Sequence, residues 1–383
     1  MNPSPPRATL APRVALVRSR YDPAGGAERF VQAAMAALKA RGVEVTVVSR
    51  QWPGAHGGAI IVDPFFVGSL WRDAGFARAA CRELSRRSFD LVQSHERIAC
   101  CDVYRAGDGV HAEWLAQRAR VQSSLAAAAT RLSPHHRYLL DAERRLFTSK
   151  RLSAVICNSE RVRGEISARF ATPPEKLELI RNAVDGEHFN PAARRANRDA
   201  VRQQLAIPRE ANVFLHVGSG FQRKGVAVFL EALAQAPGKP WGIVAGRDKR
   251  LDRYVARATA LGLGERVRFV GSVSDVRSYH AAADTFVLAS LYDPFPNAAL
   301  EALASGLPVV TSRQCGVAEL LAEGESGFVH DALDVAGFAG SMGRLDPAAA
   351  ARMEEAARAA VAALTPAAMA AQYAALYGRL IRR

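Results

Sequence analysis

Tyr292-Asp-Pro-Phe-Pro-Asn-Ala-Ala-Leu-Glu-Ala-Leu-Ala-Ser-Gly-Leu-Pro-Val-Val310 is the stretch from which the fold of this 383-residue chain is read. Ahead of it, Thr285-Phe-Val-Leu-Ala-Ser290 is a short apolar run of the kind that makes a buried parallel strand. Asp293, Pro294 and Pro296 break the chain, and Asn297 to Ala304 reads as a helix with Asn297 as its N-cap. Gly306 and Pro308 end the helix, and Val309-Val-Thr311 opens another strand. Strand, acid-bearing loop, helix, strand is the unit of an open α/β sheet, which binds ligands beyond the carboxyl ends of its strands. A helix N-terminus at such a place attracts anions or sugar oxygens. Asp293 and Glu301 bracket the turn, either as ligands or as acids that complement the helix dipole.

Working outward, the length suggests two domains rather than one core. With 49% hydrophobic and 23% charged residues the composition is that of an ordinary globular protein. Five scattered cysteines (Cys81, Cys100, Cys101, Cys157, Cys315), with no Cys-x-x-Cys, lead us to expect neither a disulfide nor a zinc site, and a reducing compartment. No apolar run approaches the length of a membrane span, and the N-terminal Met-Asn-Pro-Ser-Pro-Pro reads as a short leader. The net charge of +14 favours an anionic partner: nucleic acid, an acidic membrane surface or a phosphorylated substrate. The plain alternative is a solvated basic surface.

Strands and helices alternate along both halves. Val14 to Ser19 is a strand running into Gly25-Gly26, which allow either a tight turn or close approach to a ligand, and a helix from about Ala27 to Arg41. Further strands are expected at Val43–Val48, Ile60–Val62, Phe89–His95, from Cys101, at Ser153–Asn158 and from Leu177, with a helix over Ala74–Arg87. His95 and Glu96 arrive at a strand end, and Asp108 and His111 follow another, as substrate ligands or as a capping pair. Glu113 to Arg151 is helical in pattern and rich in arginine, either a basic face for an acidic membrane or a solvated one. Ser159 is a good N-cap for a helix through Phe170. Asp185 to Arg209 reads as a linker with a short helix, after which the alternation restarts at Val213. Strands then follow at Trp241, Val267, Thr285 and Val309, and an Ala-rich helical tail begins at Pro347.

The second half opens with strand Val213–Val217 and the turn Gly218-Ser-Gly-Phe-Gln-Arg-Lys-Gly225. Arg223 stands where the dinucleotide fingerprint needs glycine, and Lys224 lacks the following Ser or Thr of a P-loop. What is left is a cation pair, Arg223 and Lys224, expected at a helix N-terminus where positive charge is unfavourable unless an anion sits there. A diphosphate held without obligatory metal satisfies that.

Taken together, Gly25-Gly26-Ala-Glu-Arg29, Asp102-Val-Tyr with Asp108, Val217 to Gly225, Ala283-Asp284 and Asp293 to Pro308 resemble the retaining glycosyltransferases of family four, and within it the lipopolysaccharide core glucosyltransferases. The resemblance spans nearly the whole chain. It implies a GT-B fold, two Rossmann-like doubly wound α/β domains facing a cleft: residues 1–185, joined by a C-terminal helix 366–383, bind the acceptor, and residues 186–365 bind the nucleotide sugar.

Position by position, it implies that Gly25 and Gly26 approach the donor phosphate and that Gly218, Gly220, Arg223 and Lys224 hold the diphosphate. Glu301 would bind the ribose, Asp293 and Asn297 the hexose, and Gly271 and its turn would lie near the uracil. Asp108, Arg223, Lys224 and Asp293 are the implied catalytic residues, with His95 and His111 toward the acceptor. The family's usual Glu-x7-Glu begins here with Asp293, one methylene shorter, which puts direct sugar contact at that position in question.

The implied reaction is hexosyl transfer with retention, from UDP-glucose to a lipopolysaccharide inner-core heptose or similar lipid-linked glycan. No cofactor or metal is expected, and the place is cytoplasmic, on the inner face of the inner membrane. A nucleotide-sugar epimerase or phosphorylase on the same fold is the nearer alternative. Nucleic-acid binding is the remoter one, because only 7% of residues are aromatic and stacking platforms are scarce.

Overall fold

The computed structural model describes residues 11–20, 42–52 and 59–381. Gly25, Gly26 and the helix expected over Ala27–Arg41 lie outside the described residues.

Seven strands form a first sheet: β1 Arg13–Val17, β2 Glu44–Ser49, β3 Ala59–Ile61, β4 Leu91–Ser94, β5 Val103–Arg105, β6 Ala154–Cys157 and β7 Leu177–Leu179. Their order is β3-β2-β1-β4-β5-β6-β7, and every pairing is parallel. Six more form a second sheet: β8 Val213–Val217, β9 Trp241–Ala245, β10 Val267–Gly271, β11 Thr285–Leu288, β12 Val309–Ser312 and β13 Gly327–His330. Their order is β10-β9-β8-β11-β12-β13, again parallel throughout. Parallel strands need both faces covered, which is why β6, β11 and β12 are buried at every residue and β1 at all but its first.

Each sheet lies between two apolar clusters. One face of the first sheet is covered from the far end of the chain. Met369, Tyr373, Leu376 and Tyr377 of the helix Pro366–Ile381 pack on Val14, Leu16, Leu91 and Val103. Burying each such side chain contributes about 1.5–3 kcal/mol. The two tyrosine hydroxyls add direction, Tyr377 donating to Gln93 and Tyr373 accepting from Arg105 Nε at 3.2 Å.

Several expectations change. The stretch expected to be a linker with a short helix carries a 14-residue helix, Pro191–Gln204. Its Arg198 and Arg202 grip the buried Asp284 at 2.6 and 2.8 Å. A charged sequence reads as linker because its partner acid lies far along the chain. The helix expected at Ala74–Arg87 runs from Gly68 to Ser85. The basic stretch after Glu113 divides into His111–Ala119, Ser124–Leu132 and Pro134–Phe147, with Ser133 capping the last. Strand β13 went unread. Cys81 and Cys100 are joined in a disulfide, so an odd total did not exclude a pair; Cys101, Cys157 and Cys315 are free and buried.

Candidate functional site

The carboxyl ends of both sheets face one another across a cavity of about 770 Å³. The first domain supplies Arg18 after β1, His95 after β4, Arg105 and Asp108 at the end of β5, and Asn182. The second supplies Gly218 and Ser219 after β8, Arg223 and Lys224, Gly246 after β9, Ser272 to Arg277 after β10, and Asn297 and Glu301.

Arg223 and Lys224 close a one-turn helix, Phe221–Lys224, rather than opening a long one. Gly225 ends that turn at φ +75° and starts the helix Val226–Gln235. A Cβ there would sit 1.8 Å from the Ala289 carbonyl oxygen, so only glycine lets the turn lie against the end of β11. Arg223 and Lys224 line the cavity beside the start of the helix Val226–Gln235, where positive potential favours an anion. Lys224 Nζ donates to Asp293 Oδ2. Asp293 is buried and does not line the cavity; its backbone is fixed by Asp293 N–H to Gln314 O at 3.0 Å and Gly316 N–H to Asp293 O at 2.9 Å. The shorter acid thus meets the lysine instead of the space where a sugar would lie.

Asn297 is the first residue of the helix Asn297–Ala304, not its cap; Pro296 precedes it and no side chain caps the end. Its Oδ1 accepts from Asn182 Nδ2 at 2.8 Å, and Asn182 Oδ1 accepts from Arg105 at 2.6 Å. Arg105 is backed by Tyr373, so the terminal helix reaches the floor of the cleft through one arginine. Glu301, buried one helical turn on, borders the cavity.

Asp108 is exposed to the cavity at the turn after β5. His95 is buried at the cavity wall, its ring nitrogens 3.5 Å from Arg18 Nη1 and 3.1 Å from Gln93 Nε2. Burial, with Arg105 and Arg18 nearby, holds it well below its ordinary pKa, so it faces the cleft uncharged. His111 is not at the cavity. Its Nε2 lies 3.1 Å from Nδ1 of His136, and burial pushes its pKa down to about 3. Gly220 and Gly271 shape turns next to the cavity without lining it, Gly271 accepting from Gly246 N–H at 2.7 Å. Sequence reading missed Arg18, Arg105 and Asn182, none of which sits in a motif; only strand-end position marks them. Among the described residues no group of three or more His, Cys, Asp or Glu could hold a metal.

Two facing Rossmann-like domains with a cationic turn and an acid at one wall of the cleft define a GT-B glycosyltransferase. The family described as "Glycosyl transferases group 1" matches residues 197–360, and "Glycosyltransferase Family 4" matches residues 24–188. The chain belongs to these glycosyltransferases, family 4 in its first domain and group 1 in its second. It is 28% identical over 323 residues to the lipopolysaccharide glucosyltransferase WaaG of Escherichia coli K12, covering 82% of this chain and 84% of that one. It is 29% identical over 323 residues to the lipopolysaccharide core biosynthesis glycosyltransferase LpsE of Rhizobium meliloti 1021, with the same coverage. The crystal structure of WaaG superposes with a TM-score of 0.79 at 26% identity, covering 93% of this chain and 98% of that one. Anabaena HepE, solved with UDP and glucose, shares the fold at a TM-score of 0.71 and 22% identity, covering 96% and 100%.

Proposed function

We propose that the protein transfers a hexose, glucose from UDP-glucose, onto a lipopolysaccharide inner-core heptose or a similar lipid-linked glycan, with retention. The observation that carries this is the meeting of Arg223, Lys224 and Glu301 of one domain with Asp108 of the other in a single cavity. Arg223 and Lys224 take the diphosphate and stabilise the charge that develops on the leaving nucleotide. Glu301 takes the ribose hydroxyls, and the turn Ser272–Arg277 takes the base. Asn297, held by Asn182, faces the hexose. No side chain of the set is placed as a covalent nucleophile, which favours same-face departure and attack, the leaving phosphate accepting the acceptor's proton. Asp108 and neutral His95 flank the acceptor side. The relatives' names and the UDP and glucose bound by HepE support the choice of donor and acceptor class.

The place of action proposed is the cytoplasmic face of the inner membrane. Phe65 (84% exposed), Trp71 (55%), Leu125 (85%) and Leu132 (72%) are large apolar side chains open to solvent. His135 meets Asp73 at 2.8 Å, so the helix Gly68–Ser85, which carries Trp71, packs beside the helix Pro134–Phe147 of the arginine-rich stretch. Apolar side chains among cations suit an anionic lipid interface. Replacing Phe65 and Trp71 with serine should reduce co-sedimentation with phosphatidylglycerol vesicles; equal binding removes the membrane from the proposal.

The deciding experiment is UDP release from UDP-glucose, UDP-galactose and UDP-N-acetylglucosamine, with and without truncated lipopolysaccharide. Acceptor-dependent release from UDP-glucose is the expected result. Conversion of one UDP-sugar into its epimer without acceptor and without net UDP release would turn the reading toward an epimerase, and dependence on inorganic phosphate toward a phosphorylase.

A further inference from the structure

Tyr292 belongs to the second domain, yet its hydroxyl is buried in the first. It accepts from Val110 N–H at 2.8 Å and donates to Glu165 Oε2 at 2.7 Å. Val110 lies two residues beyond Asp108, and the intervening Gly109 (φ +68°) leaves space for that hydroxyl, since a Cβ there would be 2.1 Å from it. The rest of the turn is also tied: Arg97 Nη2 donates to Gly109 O at 3.3 Å, and Glu143 Oε1 accepts from His111 N–H at 2.6 Å. The next residue, Asp293, holds Lys224 on the donor side. Its backbone is pinned to the strand-like segment at Cys315. The Cα atoms of Tyr292 and Asp293 are about 3.8 Å apart across one trans peptide, so the two contacts are set one residue apart.

We propose that Tyr292–Asp293 is a rigid gauge between the two half-sites, Tyr292 positioning the turn that presents Asp108 while Asp293 positions Lys224. This rests on the hexosyl-transfer reading above. One dipeptide then sets the distance from the acceptor-side acid to the diphosphate-side cation, and the two do not drift independently. Tyr292 is a positioning residue that acts through Val110, and it touches no substrate. Glu165, raised by burial above its ordinary pKa, orients the hydroxyl so that its lone pair is left for Val110.

Tyr292→Phe, Glu165→Gln, Glu165→Ala and the Tyr292→Phe/Glu165→Ala double variant test this in the full chain. Hydrogen exchange at the Val110 amide reads the contact with no substrate present; Tyr292→Phe should speed it at least about tenfold, the loss of one hydrogen bond. With UDP-glucose and acceptor, Tyr292→Phe should lower kcat about tenfold and leave donor KM within about twofold. The share of donor lost to water rather than transferred should rise, because the acceptor wall has slackened against an intact donor site. Glu165→Gln keeps an oxygen for the hydroxyl and should behave as wild type. Glu165→Ala should follow Tyr292→Phe, and the double variant should be no worse than either. Unchanged Val110 exchange, or a fall in rate that tracks lost folded protein with the hydrolysis share unmoved, overturns the proposal. If the wild type turns over no nucleotide sugar, the transfer reading falls, and Val110 exchange alone then upholds or overturns the gauge.

Discussion

Replacing Gly225 with alanine should damage the donor site more than the fold. The residue sits at φ +75°, where an alanine costs about 1–2 kcal/mol from its own backbone. The larger effect is steric. The new methyl would lie 1.8 Å from the Ala289 carbonyl oxygen, whereas about 3.0 Å is the closest real approach, so turn and strand must part by about 1.2 Å. Arg223 and Lys224 immediately precede this residue and must move with it. Displacement of about 1 Å in positioning groups costs on the order of a hundredfold in rate. We therefore expect Tm to fall by about 2–8 °C, UDP affinity by about tenfold and kcat/KM by about a hundredfold. Calorimetric unfolding, UDP titration and initial rates measure the three. A soluble Gly225→Ala protein with wild-type UDP affinity would refute the assignment of the cation turn to the diphosphate.

Asp293→Asn should lower stability by about 3–5 kcal/mol by leaving Lys224 without its counter-ion, and loosen UDP binding a few-fold because Lys224 is no longer held; unchanged UDP affinity would count against Asp293 as the group that positions Lys224. Burial pushes His111, His216 and His280 each down to about 3, so the unfolded chain binds more protons between that value and 6.5. Their stabilisation is present above pH 6.5 and is lost as pH falls toward 3, by about 2 kcal/mol per histidine at pH 5. Urea unfolding at pH 7 and 5 should show the loss, with a shallower slope in His216→Gln, and a flat profile contradicts it. Cys81→Ser should cost about 3 kcal/mol under oxidising conditions, the closure of a loop with a sequence separation of 19. Equal unfolding midpoints with and without dithiothreitol would count against the disulfide.

The sheet was legible wherever strands are buried on both faces, because Val14–Val17, Ser153–Asn158 and Thr285–Ser290 have no other use for continuous apolar side chains. The helix Pro191–Gln204 was legible only as a short one within a linker, since its pattern of arginines makes full sense only beside Asp284. The second domain's side of the cavity was readable from local chemistry: a glycine-rich turn, two cations, and an acid one helix away. The acceptor wall was readable only in part. Asp108 follows a strand, but so does His111, and nothing in their spacing tells which faces the cleft. His136, 25 residues on, takes His111 away. Asn182 and Arg105 acquire their place through Asn297 and Tyr373, partners too distant in sequence to be seen as a pattern. The partner of the aspartate at 293 was hidden in the same way, because Lys224, which it meets, is 69 residues earlier.

The helix Pro366–Ile381 that roofs the first sheet also sets a schedule for biogenesis. The last strand it covers ends at Leu179, so on a ribosome the sheet's apolar face waits for the entire second domain to be made. At about 5–20 residues per second, that exposure lasts roughly 10–40 s. During that time Val14, Leu16 and Val103 have no partner, and Arg105 lacks the tyrosine that steadies it in the cleft. The floor of the cleft is therefore complete only after residues 366–381 have emerged and docked.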